Sequence, residues 1–311
     1  MRFKVAHDSR IGRRRNNQDR LGWGQSDDAV YLVVADGMGG HRLGEVAAQI
    51  VVDQFAQAFA VEARPRLDDP ARFLSRIMLM AHEAINDYAS MRAIPISDAP
   101  RTTCIACVIQ SGRATWAHVG DSRLYLIRNN RLLVRTLDHS RVQALLDAGE
   151  ITAAEAQVHP HRNLVTTCLG GDQLPRLDLS SSRELLPGDT LALCSDGIWA
   201  HLTDLLPVAL SHPIDQAVVQ IMNQAEQLNG PHGDNLSLLS LRWESGRSES
   251  SADVSTRPDV STRPFDPSQT VIQNLNPQSS GSRELSDAEI TSAIDSIRTN
   301  LKKNRPPETA K

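Results

Sequence analysis

The sequence predicts an α+β fold in which antiparallel sheets carry helices on their outer faces, followed by a tail with no packed structure. Three observations predict it. Runs of β-branched and alternating residues succeed one another across turns as short as Ser111-Gly112 and Asn129-Asn130, and strands joined by two residues pair antiparallel. The helical patterns stand before and after these strands, whereas a doubly wound parallel sheet would alternate strand with helix. From Ser245 onward the composition turns to Ser, Thr, Pro, Asn and Gln, which cannot bury enough apolar surface to offset the entropy of ordering.

In chain order, the first strand-like run is Ala29 to Ala35, apolar throughout. Two long stretches with apolar residues at three and four spacing follow at Leu43 to Ala60 and Pro70 to Ala89, and read as helices. Strands are expected at Thr102 to Gln110, Ala114 to Val119, Arg123 to Ile127 and Arg131 to Thr136. Between Arg141 and His161, Val142, Leu145 and Leu146 suggest a short amphipathic helix, and Glu150-Ile-Thr-Ala-Ala-Glu another helical turn. A strand at Thr190 to Cys194, a helix at Pro213 to Leu228 and a strand at Leu236 to Trp243 complete a first domain of residues 1–244.

Residues 245–285 read as a disordered linker containing a tandem copy, Asp253-Val-Ser-Thr-Arg-Pro258 and Asp259-Val-Ser-Thr-Arg-Pro264. An amphipathic helix is expected over 286–303, where Ser286 and Glu289 make a capping-box pattern and Ile290, Ile294, Ile297 and Leu301 form a stripe. That stripe would need a surface to cover it, on this chain or on a tail-binding protein. Residues 304–311 read as a disordered terminus.

With 33 Lys+Arg against 37 Asp+Glu and a net charge of -4, the chain lacks the positive field that nucleic acid requires. Its longest strongly apolar run falls far short of the roughly 20 residues of a membrane-spanning helix. The expectation is a cytoplasmic monomer. Four cysteines are too few for a disulfide scaffold. Cys104 and Cys107 read C-x-x-C, but in a strand residues three apart point to opposite faces and cannot share a metal.

Four aspartates stand at strand ends or in the following turns, each beside Gly, Ser or Asn: Asp36-Gly37, Gly120-Asp121-Ser122, Ser195-Asp196-Gly197 and Asp234-Asn235. Asp19 closes Asn16-Asn-Gln-Asp. One Asp-Gly is only a turn signal. Repeated, the pattern supplies the carboxylate and carbonyl oxygens that hard cations such as Mg²⁺ and Mn²⁺ prefer. Arg13-Arg14-Arg15 lies a few residues before Asp19, and a guanidinium can hold a phosphate in a bidentate fork.

The series Gly12-x-Arg14-x-x-Asn17-x-Asp19, Ala35-Asp36-Gly37-Met38-Gly39-Gly40-His41, Thr102-Thr103, Val119-Gly120-Asp121-Ser122-Arg123, Asp138-His139-Ser140, Leu169-Gly170, Cys194-Ser195-Asp196-Gly197 and Asp234-Asn235 resembles the ordered motifs of the bacterial metal-dependent serine/threonine phosphatases, the PP2C or PPM family. The resemblance covers about residues 1–244. It implies a four-layer α-β-β-α sandwich with two central antiparallel sheets. It further implies that Asp19, Asp36, the carbonyl of Gly37, Asp196 and Asp234 hold two Mn²⁺ or Mg²⁺ ions, that Asp121 with Asp196 serves a third, weaker site, and that Arg14 grips the substrate phosphate. Two cations about 3.5–4 Å apart can share a water, lower its pKa and aim it at phosphorus. The implied partners are phosphorylated proteins and a cognate Ser/Thr kinase system.

The sequence departs from the family pattern at three places. Met38 stands where some members carry a histidine suited to protonate the leaving alkoxide, which leaves His41 as a nearby candidate general acid. Gln18 replaces a common acidic residue. Arg101 precedes the two threonines where glycine is usual. Two other functions compete: a pseudophosphatase that binds phosphoproteins without turnover, and an adaptor acting through its tail. The complete set of aspartates favours the enzyme.

Overall fold

The chain opens with two strands that hydrophobic alternation alone does not reveal. The computed structural model describes residues 1–38, 43–230, 233–245 and 273–275. Strand β1 (Arg2–Arg10) is largely half-buried, with charged residues along it, and among the described residues pairs only with the strand Leu236–Ser245. Strand β2 (Asp19–Gln25) carries Gly22 and Gly24, residues normally depleted in strands. Gly22 is there for packing: a Cβ at this position would lie 2.8 Å from Val52 Cγ1. Strand β3 (Ala29–Met38), buried on both faces over its first seven residues, runs three residues beyond the expected end.

Helices α1 (Gly44–Glu62) and α2 (Pro70–Met91) follow as expected. The second starts cleanly because the Asp69 side chain accepts from the N–H groups of Ala71 and Arg72, with proline in the first turn. The next strands are β4 (Arg101–Thr102), β5 (Cys104–Gln110), β6 (Arg113–Val119), β7 (Arg123–Arg128) and β8 (Arg131–Arg135). Their two hairpin turns have positive φ at both central residues, Ser111-Gly112 and Asn129-Asn130, as the twist of a two-residue hairpin requires. Helices α3 (Arg141–Asp147) and α4 (Ala153–Val158) occupy the region between the Asp138-His139-Ser140 and Leu169-Gly170 motifs, the second begun by a Thr152/Glu155 capping box. Then come β9 (Asp178–Leu179), β10 (Arg183–Glu184), β11 (Thr190–Cys194), α5 (Asp196–Leu202), α6 (Leu206–Ala209), α7 (Ile214–Leu228), β12 (Leu236–Ser245) and β13 (Gln273–Leu275).

One sheet has the order β1-β12-β11-β7-β8 and the other β10-β6-β5-β3-β2-β13, with β4 added to β3 and β9 to β6. Three apolar clusters make four layers of them. Ala35, Val51, Phe55, Phe59, Leu74, Ile77 and Ile85 pack α1 and α2 on one sheet. Tyr125, Ile198, Leu206, Val218, Ile221 and Met222 pack α5 to α7 on the other. Leu32, Ile105, Leu193, Leu239 and Trp243 fill the space between the sheets. The α-β-β-α sandwich is therefore the fold. Cys104 lies in the first cluster and Cys107 in the third, on opposite faces of β5.

Among the described residues all strand pairings are antiparallel except one, the parallel pairing of β13 with β2. Strand β13 lies within the expected linker of residues 245–285, of which the structure describes Ser245 and Gln273–Leu275. The outer edge of β2 offers backbone N–H and C=O groups, and pairing to them needs main chain, not apolar side chains. The remaining linker, the expected 286–303 helix and the 304–311 terminus lie outside the described residues. Among the described residues, no helix is long and apolar enough to cross a membrane.

Candidate functional site

Antiparallel pairing carries the aspartates to one end of both sheets. Asp19 begins β2 and faces Asp36 near the end of β3 in direct register. Asp196 follows the end of β11 and opens α5, while Asp234 precedes the start of the neighbouring β12. Asp121 sits in the turn from β6 to β7, which is brought alongside by Thr103: the Thr103 N–H donates to the Asp36 carbonyl at 2.9 Å, and its hydroxyl lies 2.7 Å from Ser122 Oγ. The five sequence-predicted carboxylates are thus brought together. His41 lies outside the described residues.

The two sheets are stitched at this end by a buried serine. Ser195 donates to Asp19 Oδ2 at 2.7 Å and accepts from the N–H of Ser237 at 3.1 Å. Asp36 is held through its backbone, its N–H donating to Thr103 Oγ1 and its carbonyl accepting from Thr102 Oγ1. Ser122 and Ser195 are both buried and engaged in these contacts. Gly37 is required by close approach: a Cβ there would fall 2.3 Å from the Gly44 carbonyl carbon.

Asp19 is fully buried and Asp121 is 4% exposed, whereas Asp36, Asp196 and Asp234 keep an open edge. Burial, reinforced by mutual repulsion, pushes Asp36 and Asp196 well above the usual carboxylate range. For Asp19 burial is again the main cause and raises it to about 6, despite the Ser195 hydrogen bond. Asp121 is pushed up to about 7 by burial and by Asp138. Such a set of like charges is stable as carboxylates only beside a cation. Asp196 Oδ1 is moreover buried with no hydrogen-bond partner, so an oxygen-only donor set with an open valence suits a hard divalent ion. Arg14 supplies one positive charge, donating to Asp234 Oδ2 at 2.7 Å. Arg13 and Arg15 are exposed like Arg14, but neither has an ion pair with the site among the described residues.

Asn235 is a site residue whose role the sequence did not disclose. Its amide donates to the carbonyls of Ile11 and Asn16 and its Oδ1 accepts from the Gln18 N–H, which fastens the arginine loop to β12. Gln18 itself donates to Glu45 in the first turn of α1, a contact that an acidic residue would turn into repulsion. The Arg101 guanidinium lies against Gly171, where a Cβ would meet Nε at 3.0 Å.

A second polar cluster lies at the base of the α3–α4 region. His139 Nε2 is 3.2 Å from Asp178 Oδ2, and His118 Nε2 donates to the Leu137 carbonyl at 2.8 Å. The ligating atoms of His118, His139 and Asp178 lie within 4.8 Å of one another. The two rings are stacked, 4.6 Å between centroids and 23° from parallel, so their in-plane lone pairs do not converge on one ion.

Comparison with known proteins agrees with this arrangement. Residues 7–231 match the protein phosphatase 2C family profile. The chain is 33% identical over 203 residues to the serine/threonine phosphatase stp of Listeria welshimeri, covering 62% of this chain and 75% of that one. It is 35% identical over 229 residues to the serine/threonine protein phosphatase PstP of Mycobacterium tuberculosis, covering 73% of this chain but 42% of that protein. The crystal structure of the Mycobacterium tuberculosis phosphatase superposes with a TM-score of 0.68 at 32% identity, over 78% of this chain and 99% of that chain. A structure of the PstP catalytic domain in complex with two manganese ions gives 0.66 at 31%, over 77% and 97%. With the sandwich fold, the gathered carboxylates and these matches in agreement, the chain belongs to the protein phosphatase 2C family of serine/threonine phosphatases.

Proposed function

We propose that this chain hydrolyses phosphoserine and phosphothreonine in proteins at a binuclear Mn²⁺ or Mg²⁺ centre, opposing a bacterial Ser/Thr kinase. The single observation that carries the reading is the convergence of Asp19, Asp36, Asp196 and Asp234 at one end of the two sheets, with Asp196 Oδ1 left without a partner. These four carboxylates and the Gly37 carbonyl would hold two ions, and Asp121 with Asp196 a third, weaker one. The ions would supply an activated water and neutralise the phosphoryl oxygens.

The chain's own groups do the remainder. Arg14, half-exposed at the rim, holds Asp234 in this structure and would exchange that carboxylate for the incoming phosphate, to which its fork is matched. Ser195 fixes one oxygen of Asp19 with a 2.7 Å hydrogen bond. The leaving alkoxide requires a proton, and His41 is the candidate donor in sequence. No serine is called upon as a nucleophile, so turnover proceeds without a covalent enzyme intermediate.

The experiment is hydrolysis of a phosphothreonine peptide by the purified chain with and without Mn²⁺ or Mg²⁺. Turnover that appears with the metal and disappears on chelation is expected. Full activity after exhaustive chelation sinks the proposal, and tight phosphopeptide binding without turnover at saturating Mn²⁺ would favour the pseudophosphatase.

A further inference from the structure

We infer that Trp199 is a positioning residue for the weaker cation site, the strut that sets Asp121 against Asp196; this rests on the metal site proposed above. Asp196 is the first residue of α5 and Trp199 stands three residues on, a spacing that places both on one face of the helix. From there the indole N–H reaches across to the β6–β7 turn and donates to the main-chain carbonyl of Asp121 at 2.8 Å. Asp121 leads into β7 and Asp196 follows β11, neighbouring strands of one sheet with Arg123 opposite Cys194, and this hydrogen bond further joins the helix that begins with one carboxylate to the turn that carries the other.

The indole is itself held rigidly. The Arg123 guanidinium lies over its ring, 3.6 Å from the centroid. Arg123 is pinned by two hydrogen bonds of 2.7 Å to Asp138, a pair whose side chains are 10% and 8% exposed. The same guanidinium reaches Thr203 Oγ1 at 3.2 Å, and the Thr203 hydroxyl donates to the Trp199 carbonyl at 2.7 Å. On its other side the turn is gripped by the contact of Ser122 with Thr103. Asp121 is thus fixed from two directions, and Trp199 is the arm that reaches it from α5.

A seat with two protein carboxylates has fewer ligands than the main centre, so an error in their separation weakens it more. Trp199→Phe keeps an aromatic ring to lie beneath Arg123 and deletes the N–H along with part of the indole's bulk. The test is a titration of the full chain with Mn²⁺, bound and free ion being distinguished by electron paramagnetic resonance, with thermal denaturation in parallel. Two tight ions and a weak one are expected for the parent. In Trp199→Phe the half-saturating Mn²⁺ of the weak phase should rise about fivefold, the scale of one hydrogen bond, while the tight phase stays in place. Thr203→Val should shift the weak phase the same way by less, and keeps the question answerable if Trp199→Phe does not fold.

An unchanged weak phase in either folded variant, with only a lower Tm, would make Trp199 a packing residue and overturn the inference. Equal weakening of both phases, or a parent with no weak phase, overturns it as well. Parallel assays of the parent on a phosphothreonine peptide keep the two readings apart. Absence of metal-dependent turnover would defeat the proposed function while the ion titration still scores Trp199.

Discussion

Asp36 and Asp196 are raised well above the ordinary carboxylate range by burial and by one another's neighbours, so each is sustained as an anion by whatever cation it holds. Asp36→Asn and Asp196→Asn should therefore lower turnover at least about a hundredfold, the scale at which losing one electrostatic group in an active site is felt, without loss of the far-UV circular dichroism spectrum. Near-parent rates at saturating Mn²⁺ would count against the ligand set. In the metal-free protein the same burial has a pH signature. Asp19, at about 6 when folded against 3.8 as reference, binds more protons folded than unfolded. Its burial therefore costs nothing below about pH 4 and costs on the order of 3 kcal/mol above pH 6. The chelated protein should melt at a higher temperature at pH 5 than at pH 7.5, and added Mn²⁺ should remove that difference. Arg14→Ala should raise KM for phosphopeptides about tenfold, the range of a charged hydrogen bond, with Arg13→Ala and Arg15→Ala near parent. Three variants with equal KM would return the whole run to a surface role. The carboxylates and Arg14 were legible because hard-cation and phosphate chemistry accept few residue types. Asn235 and Trp199 were not, since each acts by a hydrogen bond to main chain distant in sequence.

At the scale of elements, legibility followed burial. Strand β3, apolar on both faces, and helices α1, α2 and α7, with stripes at three and four spacing, were readable within a few residues. Strands β1 and β2 were not. The first is a partly exposed edge strand with charged residues, and the second contains a glycine, Gly22, set by the approach of α1. The short β9 and β10 have two residues each, too few to show any period. Glycine carries a test of its own here. Gly37 joins the end of β3 to the site, and its missing Cβ is what lets the start of α1 and the Gln18 carbonyl come close, the latter 2.7 Å from where a Cβ would stand. Gly37→Ala should cost about 1–3 kcal/mol through overpacking and displace Asp36, so both Tm and turnover should fall. A variant with parent stability and parent turnover would mean that β3 and α1 have more room than their backbone positions allow.

For the whole molecule the open matter is how much of the chain the chemistry needs. Every proposed ligand lies between Asp19 and Asp234, the family match spans residues 7–231, and the last core strand ends at Ser245. The segment from Ser245 to Lys311 holds nine Lys+Arg and nine Asp+Glu, so it brings no net charge to attract or repel a phosphopeptide. Its one described contribution is β13, whose main chain pairs with Gly22, Trp23 and Gly24 on the outer edge of β2. That strand also begins with Asp19, so among the described residues loss of β13 is the route by which truncation could reach the site. The route is weak. Asp19 is anchored independently by Ser195 and by its register opposite Asp36, whereas the paired residues start three positions away. A chain ending at Ser245 should thus keep the parent kcat and KM on a small aryl phosphate and the parent Mn²⁺ dependence. Its Tm should be lower by no more than a few degrees, since a handful of edge hydrogen bonds are each worth about 1 kcal/mol or less. Loss of metal-dependent turnover in a truncated protein that remains folded would mean that β13 holds Asp19 in place and that the catalytic unit extends to Leu275.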